Sequence, residues 1–166
     1  MTKILCMTEP HHARVLAINA ASRPAVAPLD TQELKRLLSF AVNSLVAIRG
    51  EEVVGYVLAI SRIAEYDGEE FLEFRRLIPS AFLYIDQLAV APAHKGSGVA
   101  RALYETLESA ARAVGQMLLC CEVNTRPANA DSAAFHRKVG FTPYTRLATR
   151  DGREVELLTK TVNPGR

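Results

Sequence analysis

The apolar positions of this chain change period several times, and each change marks an element. Residues 4–7 read as a short opening strand, and a helical stretch at 12–21 is closed by Pro24 and Pro28. Asp30 and Glu33 then stand in a D-x-x-E arrangement suited to a capping box. Behind it, Leu34, Leu37, Leu38 and Ala41 share one helical face. Residues 44–49 and 53–62 are predicted as a hairpin turning at Gly50–Glu51. Segment 64–80, AEYDGEEFLEFRRLIPS, reads as irregular or briefly helical. A strand follows at 82–90, ending before Pro92, and Val99, Leu103, Leu107, Ala110 and Val114 then recur at helical spacing until Gly115. Residues 116–123 form a strongly apolar strand. A helix at 129–139 places Phe135 and Val139 on one face, with Gly140 beyond its end. Residues 142–150 and 153–162 flank the hairpin dipeptide Asp151–Gly152.

The order βααββ, loop, βαβαββ predicts an α/β fold whose sheet is mixed. Strands 82–90 and 116–123, joined by one helix, are expected to be parallel neighbours in a right-handed crossover. A length of 166 residues suits one domain with a real core. A net charge of +2 is too small to argue for nucleic acid. Cys6, Cys120 and Cys121 make no disulfide framework. The adjacent pair lies in an apolar run, which suits burial in a reducing compartment. No Cys/His spacing suits zinc, and His11–His12 is an isolated pair, so no metal is expected. The N-terminus lacks the apolar core of a signal peptide, and no apolar run reaches the roughly 18 residues of a membrane span. These features predict a cytoplasmic single domain over 1–166 that binds neither nucleic acid nor membrane.

The chemistry concentrates in APAHKGSGVARAL, residues 91–103, between an apolar strand and an amphipathic helix. Gly costs roughly 1 kcal/mol against Ala inside a helix. Small residues at Gly96, Ser97, Gly98 and Ala100 make sense where a ligand approaches the backbone. A glycine-rich turn feeding a helix offers free N–H groups and the positive end of the helix dipole to a phosphate. The nucleotide P-loop needs Lys-Ser or Lys-Thr after the last glycine, and none follows Gly98. A dinucleotide turn needs a third glycine where Arg101 stands.

Lys95-Gly96-Ser97-Gly98-Val99-Ala100 resembles the pyrophosphate turn [Q/R]-x-x-G-x-[G/A] of the GCN5-related N-acetyltransferases, with Lys in place of Gln or Arg. YIDQ followed by LAVAPAHKGSGVARAL is similar to that family's central strand, turn and helix. CEVNTRPANADSAAFHRKVGF is similar to its next strand and helix, with Asn129, Phe135 and the closing Gly140–Phe141. The resemblance is closest over residues 82–141. It implies an acetyl-coenzyme A donor held between two splayed parallel strands. The pantetheine arm would then pair with Leu88, Ala89 and Val90, and the pyrophosphate would sit on the amides of Lys95, Gly96, Ser97, Gly98, Val99, Ala100 and Arg101. Lys95 could add charge as a point cation or be a solvated loop lysine. Asn129 either contacts the donor arm or starts its helix, and Phe135 lies in the same donor-binding segment.

Acetyl transfer needs a neutral amine and a proton for the departing thiolate. Glu122 interrupts the apolar strand at its carboxyl end and resembles the glutamate of the bacterial ribosomal-protein alanine N-acetyltransferases; its other reading is a paired strand carboxylate. Asp86 is the second candidate base. His136 stands where family members often carry Tyr, and reads as an acid, a neutral hydrogen-bond donor or a surface residue without a role. Tyr84, Tyr104 and Tyr144 are alternative donors. An acidic run, Glu65, Asp67, Glu69, Glu70 and Glu73, precedes the central strand and would either attract a cationic amine or serve as a solvated loop. The expected partner is a small-molecule, peptide or lysine amine, with a homodimer left open. The competing readings are a non-catalytic coenzyme A-binding module and a nucleotide-binding regulatory domain.

Overall fold

A computed structural model describes residues 1–163. The helices are α1 (His12–Ala21), α2 (Thr31–Phe40), α3 (Glu69–Leu77), α4 (Val99–Ala113) and α5 (Ala130–Lys138). The strands are β1 (Lys3–Cys6), β2 (Ala41–Arg49), β3 (Glu52–Ser61), β4 (Leu83–Val90), β5 (Leu118–Arg126), β6 (Thr142–Ala148) and β7 (Glu154–Thr161). Hydrogen bonding orders the strands β1-β2-β3-β4-β5-β7-β6. The sheet is mixed, as the sequence predicts: β4 and β5 run parallel, and β1–β2, β2–β3, β5–β7 and β6–β7 are antiparallel. The chain forms two compact units, Met1–Ile60 with Ile85–Ala110 and Ser61–Tyr84 with Ala111–Arg166.

In the first unit, Asp30 caps α2 by accepting from the Glu33 amide at 2.7 Å, the contact its D-x-x-E spacing predicts. The helix stops one residue earlier than its apolar face suggests. Ala41 takes extended backbone and opens β2, because its pairing with Ile60 of β3 overrides helical propensity. Gly50, at φ +61°, turns β2 into β3. A buried polar knot ties the 22–29 segment to this sheet. The Asn19 amide donates to Ala27 O, the Tyr56 hydroxyl and Gln87 Oε1, and its own oxygen accepts from the Leu29 amide. Burial pushes the Tyr56 phenol up to about 12, so it stays a neutral donor to Gln87 at 2.8 Å.

In the second unit, segment 64–80 contains a full helix, α3. Phe71 and Phe74 are fully buried one turn apart, and Ile78 extends the stripe. Glu69 and Glu70 open the helix and Arg75 and Arg76 close it, which suits the helix dipole at both ends. The two phenylalanines pack against Phe82 and Tyr84, with ring centroids 5.6–6.1 Å apart. β5 extends three residues past the predicted end at Val123. Asn124 and Arg126 pair with Val155 and Glu154 of β7, so cross-strand pairing carries the strand through polar sequence. Cys120 and Cys121 are buried in β5, whereas Cys6 is exposed.

Candidate active site

Strand β4 leads through a short 3-10 turn, Pro92–His94, into residues 95–98 and then α4. Gly96 and Gly98 have φ of +74° and +87°, a region that L side chains avoid, so the loop conformation itself calls for glycine at both positions. A Cβ built at either would meet nothing within 4 Å, so space lies beside the backbone there. The α4 ladder begins with Ala102 N–H donating to Gly98 O at 3.0 Å. Helix geometry therefore gives the Val99, Ala100 and Arg101 amides no acceptor within the helix. That is the arrangement an anion needs. Ser97 is held on two sides: Arg49, the last residue of β2, donates to its hydroxyl at 3.0 Å and to its carbonyl at 2.7 Å. The Ser97 hydroxyl in turn donates to His94 O.

Close packing fixes where α4 starts. A Cβ on Gly55 of β3 would lie 2.9 Å from Val99 Cγ1 and 3.1 Å from Ala89 O. Only glycine lets β3 approach β4 and the first residue of α4 so closely. At the end of β4, Ala91 N–H donates to Val54 O at 2.8 Å.

In the second unit, Tyr84 and Glu122 meet. Tyr84 pairs with Cys120 in the short parallel ladder between β4 and β5, and its hydroxyl donates to Glu122 Oε2 at 2.8 Å. Tyr84 is only 2% exposed and packed against Phe71 and Phe74, whereas Glu122 is half-buried. A fixed phenol thus points one oxygen of a partly solvated carboxylate. Beside it, burial first and the Glu122 charge second push the Cys120 thiol well above its ordinary value. Cys120 is an inert core residue and no nucleophile.

His136 is buried in α5, 8% exposed, in T-shaped contact with the rings of Phe135 and Phe141, with centroids 5.3 Å apart in each pair. Its Nδ1 lies 2.7 Å from the Ser132 carbonyl, which can only accept, so Nδ1 carries a proton. Burial lowers its affinity for a second proton and outweighs the opposing pull of that carbonyl. The ring is neutral near pH 7, with Nε2 as its acceptor.

The model of the acetyltransferase (GNAT) family matches residues 14–141. The chain belongs to this family. The fold is similar to that of the ribosomal-protein-S18-alanine N-acetyltransferase from Escherichia coli, at 15% identity and a TM-score of 0.74, covering 100% of this chain and 97% of that one. Ard1 from Thermoplasma volcanium is similar at 18% identity and a TM-score of 0.77, with 98% of each chain covered. The structure of yncA from Salmonella typhimurium, solved with its cofactor acetyl-CoA, is similar at 21% identity and a TM-score of 0.69, covering 100% of this chain and 96% of that one. No curated protein sequence matches.

Within this GNAT chain the residues singled out in the sequence fall into separate groups. Leu88, Ala89 and Val90 end β4, and Lys95 to Arg101 form the exposed turn and the first turn of α4. Asn129 caps α5 by accepting from the Ser132 amide at 3.3 Å, and Phe135 is half-buried. Glu122 lies inside β5, four residues before its end, rather than at its carboxyl terminus. Asp86 is half-buried in β4, close enough to raise the Tyr56 phenol slightly. Tyr104 is buried in α4 and Tyr144 half-exposed on β6. The acidic segment is largely occupied: Glu69 accepts from the Arg150 amide, Glu70 pairs with Arg153 at 3.0 Å, and Glu73 pairs with Arg76 at 2.6 Å. Arg153 also reaches Asp151 and Asn124, tying the β6–β7 turn to α3 and β5. Among the described residues no helix is long and apolar enough to cross a membrane, and no group of three or more His, Cys, Asp or Glu could hold a metal ion.

Two contributors went unread in the sequence. Arg49 is the last residue of the predicted strand 44–49, and nothing local in the sequence ties it to a turn 48 residues away. Gly55 carried a readable signal, a lone glycine inside an apolar strand, which marks a bulge or a close backbone approach.

Proposed function

We propose that this chain transfers the acetyl group of acetyl-coenzyme A to a primary amine of a small molecule or peptide. The observation that carries this reading is the turn at 95–98. Two glycines at positive φ open α4, its first amides have no helical acceptor, and open space lies where side chains would stand. Family membership across residues 14–141 supports the same donor, as does the acetyl-CoA bound to yncA. That match includes sequence from both compact units, which favours reading 1–166 as one acetyltransferase domain.

Acetyl-coenzyme A supplies an activated thioester. In this reading the amides of Lys95 to Arg101 receive its pyrophosphate, and the backbone of Leu88, Ala89 and Val90 pairs with the pantetheine arm. Asn129 and Phe135 belong to the donor-binding set, with Asn129 already engaged as a cap. Glu122 is the base. A lysine ammonium costs about 4.6 kcal/mol to deprotonate at pH 7, and an α-ammonium about 1 kcal/mol. The nitrogen loses two protons as the C–N bond forms and the C–S bond breaks. Glu122 takes one and passes it to solvent; the other ends on the coenzyme A sulfur. Tyr84 holds Glu122 for this task by donating to Oε2. Asp86 is the alternative base. His136, neutral with its Nδ1 proton engaged, suits a packing role better than that of the acid.

The test is thiol release from acetyl-coenzyme A over a panel of small amines, amino acids, peptides with free N-termini and N-blocked lysine peptides. Release with one class identifies the acceptor. Tight coenzyme A binding without release from any acceptor would leave a non-catalytic module, and a preference for ATP or NAD in equilibrium dialysis would leave a nucleotide-binding domain.

A further inference from the structure

The Ser97–Gly98 peptide is a weak point in any anion site built here. A peptide plane between a serine and a glycine can turn over at low cost, because Gly98 tolerates φ of either sign. Turning it would exchange an outward N–H for an outward C=O, placing an acceptor where the turn needs a donor. In a trans peptide the C=O and N–H point in opposite directions. Holding the Ser97 carbonyl in one direction therefore fixes the Gly98 N–H in the other.

Arg49 does the holding. Its Nη2 donates to Ser97 O at 2.7 Å, its Nη1 to Ser97 Oγ at 3.0 Å, and its Nε to Thr2 Oγ1 at 2.8 Å. The guanidinium is planar, so three contacts from three nitrogens fix its orientation as well as its position. Ser97 Oγ passes the restraint on by donating to His94 O, at the start of the turn. We infer that Arg49 is a positioning residue of the donor site: it locks the Ser97–Gly98 peptide so that the Gly98 amide faces the pyrophosphate. This rests on the acetyltransferase reading above, since it assigns the turn to coenzyme A.

The lock acts through backbone amides and never through direct contact with the 3′-phosphate, which sets the design of the test. Coenzyme A and dephospho-coenzyme A are titrated into the wild-type chain and the variants Arg49→Met, Arg49→Lys and Ser97→Ala, each checked for wild-type melting. Arg49→Met is expected to weaken both ligands about tenfold. Its kcat at saturating donor should stay within about twofold of wild type, a binding effect separated from chemistry. Arg49→Lys, which can still reach the carbonyl with one donor, should recover about half of that loss on a logarithmic scale. Ser97→Ala keeps the carbonyl contact and should bind within about threefold of wild type. Without any ligand, the 15N-labelled Gly98 amide should show exchange broadening in Arg49→Met and none in the wild type.

Equal affinity of Arg49→Met and wild type would overturn the lock. So would a loss confined to coenzyme A and absent with dephospho-coenzyme A, because that outcome means direct phosphate contact. A Ser97→Ala loss as large as that of Arg49→Met would shift the role from the carbonyl to the hydroxyl and overturn it too. Failure of the wild type to bind either ligand would remove the donor reading itself. The Gly98 broadening would still show whether Arg49 holds the peptide.

Discussion

In the proposed reaction the turn at 95–98 and the carboxylate at Glu122 solve different problems by different means. At the turn the working groups are backbone amides, and side chains serve mainly to stay out of the way: Gly96 and Gly98 supply the conformation, and Arg49 restrains a peptide plane from outside. At Glu122 the working group is a side chain, and its surroundings are side chains too. The Tyr84 phenol aims one oxygen, and Phe71 and Phe74 hold the Tyr84 ring. An amide site depends on φ and ψ, so it is sensitive to the residue type at a few loop positions. A carboxylate site depends on packing several elements deep. Substitutions at the two should therefore separate: those at the turn change donor affinity, and those around Glu122 change the chemical step.

The largest expected effect lies on the chemical side. Glu122→Gln removes the proposed base while keeping the shape and the Tyr84 contact, and should lower kcat roughly 10²-fold at neutral pH. The deficit should shrink as pH rises and the amine loses its proton unaided. Tyr84→Phe, which keeps the ring packing and removes the donor, should lower kcat about tenfold with donor affinity unchanged. Steady-state kinetics with a binding titration checks both. A fully active Glu122→Gln enzyme across pH would move the base to Asp86 or to water.

Next comes the turn. Gly98→Val should reduce coenzyme A affinity about tenfold, or about 1.4 kcal/mol. A side chain there is strained by the backbone itself, at φ +87°, and not by other protein atoms, none of which stands within 4 Å of the added Cβ. Gly98→Ala should consequently lose nearly as much as Gly98→Val. A titration in which alanine binds like glycine and valine does not would restore a steric explanation.

Gly55 should show a third behaviour. A methyl there would press on Val99 and on the Ala89 carbonyl, one a side chain that can yield and the other backbone that cannot. Gly55→Ala should cost about 1–3 kcal/mol of stability in urea unfolding. Because the same shift moves the start of α4, donor affinity should fall with it. Lost stability at wild-type affinity would show that the turn is insulated from the strand beneath it.

How much of this was legible beforehand follows from the range of each interaction. The Asp30 cap, the Gly50 turn and the glycine turn are local, and their signals lie within a few residues. The helix at 69–77 was also present as Phe71 and Phe74 between acidic and basic ends, but its charged residues masked the short apolar stripe. The fate of those charges was not legible. Glu70 reaches Arg153 and Glu69 reaches the Arg150 amide, more than eighty residues on, contacts that only the fold creates. Glu122 stood out as a charge in an apolar strand, yet its partner Tyr84 lies 38 residues away on a neighbouring strand. Local sequence marks where a side chain is unusual; the pairing of strands determines what it touches.

The smallest expected effect concerns His136, and it probes where the chemical site ends. Burial lowers its pKa below the ordinary value of about 6.5, so the unfolded chain binds a proton there more readily than the folded one. A group depressed in this way contributes its stability above the unfolded pKa and loses it as pH falls toward the folded value. His136→Phe keeps the ring contacts with Phe135 and Phe141 but removes the Nδ1–H donated to Ser132 O, worth about 1 kcal/mol. Urea unfolding at pH 7.5 should find the variant less stable by about that amount, and at pH 5.5 the gap should narrow, because only the wild type pays to keep the ring neutral. Turnover should change by no more than about threefold, since a neutral ring with its proton already donated has none to give the thiolate. A gap that widens on acidification would mean a charged ring in the folded state. A kcat loss of tenfold or more, reversed by His136→Tyr, would return position 136 to the chemistry as its acid.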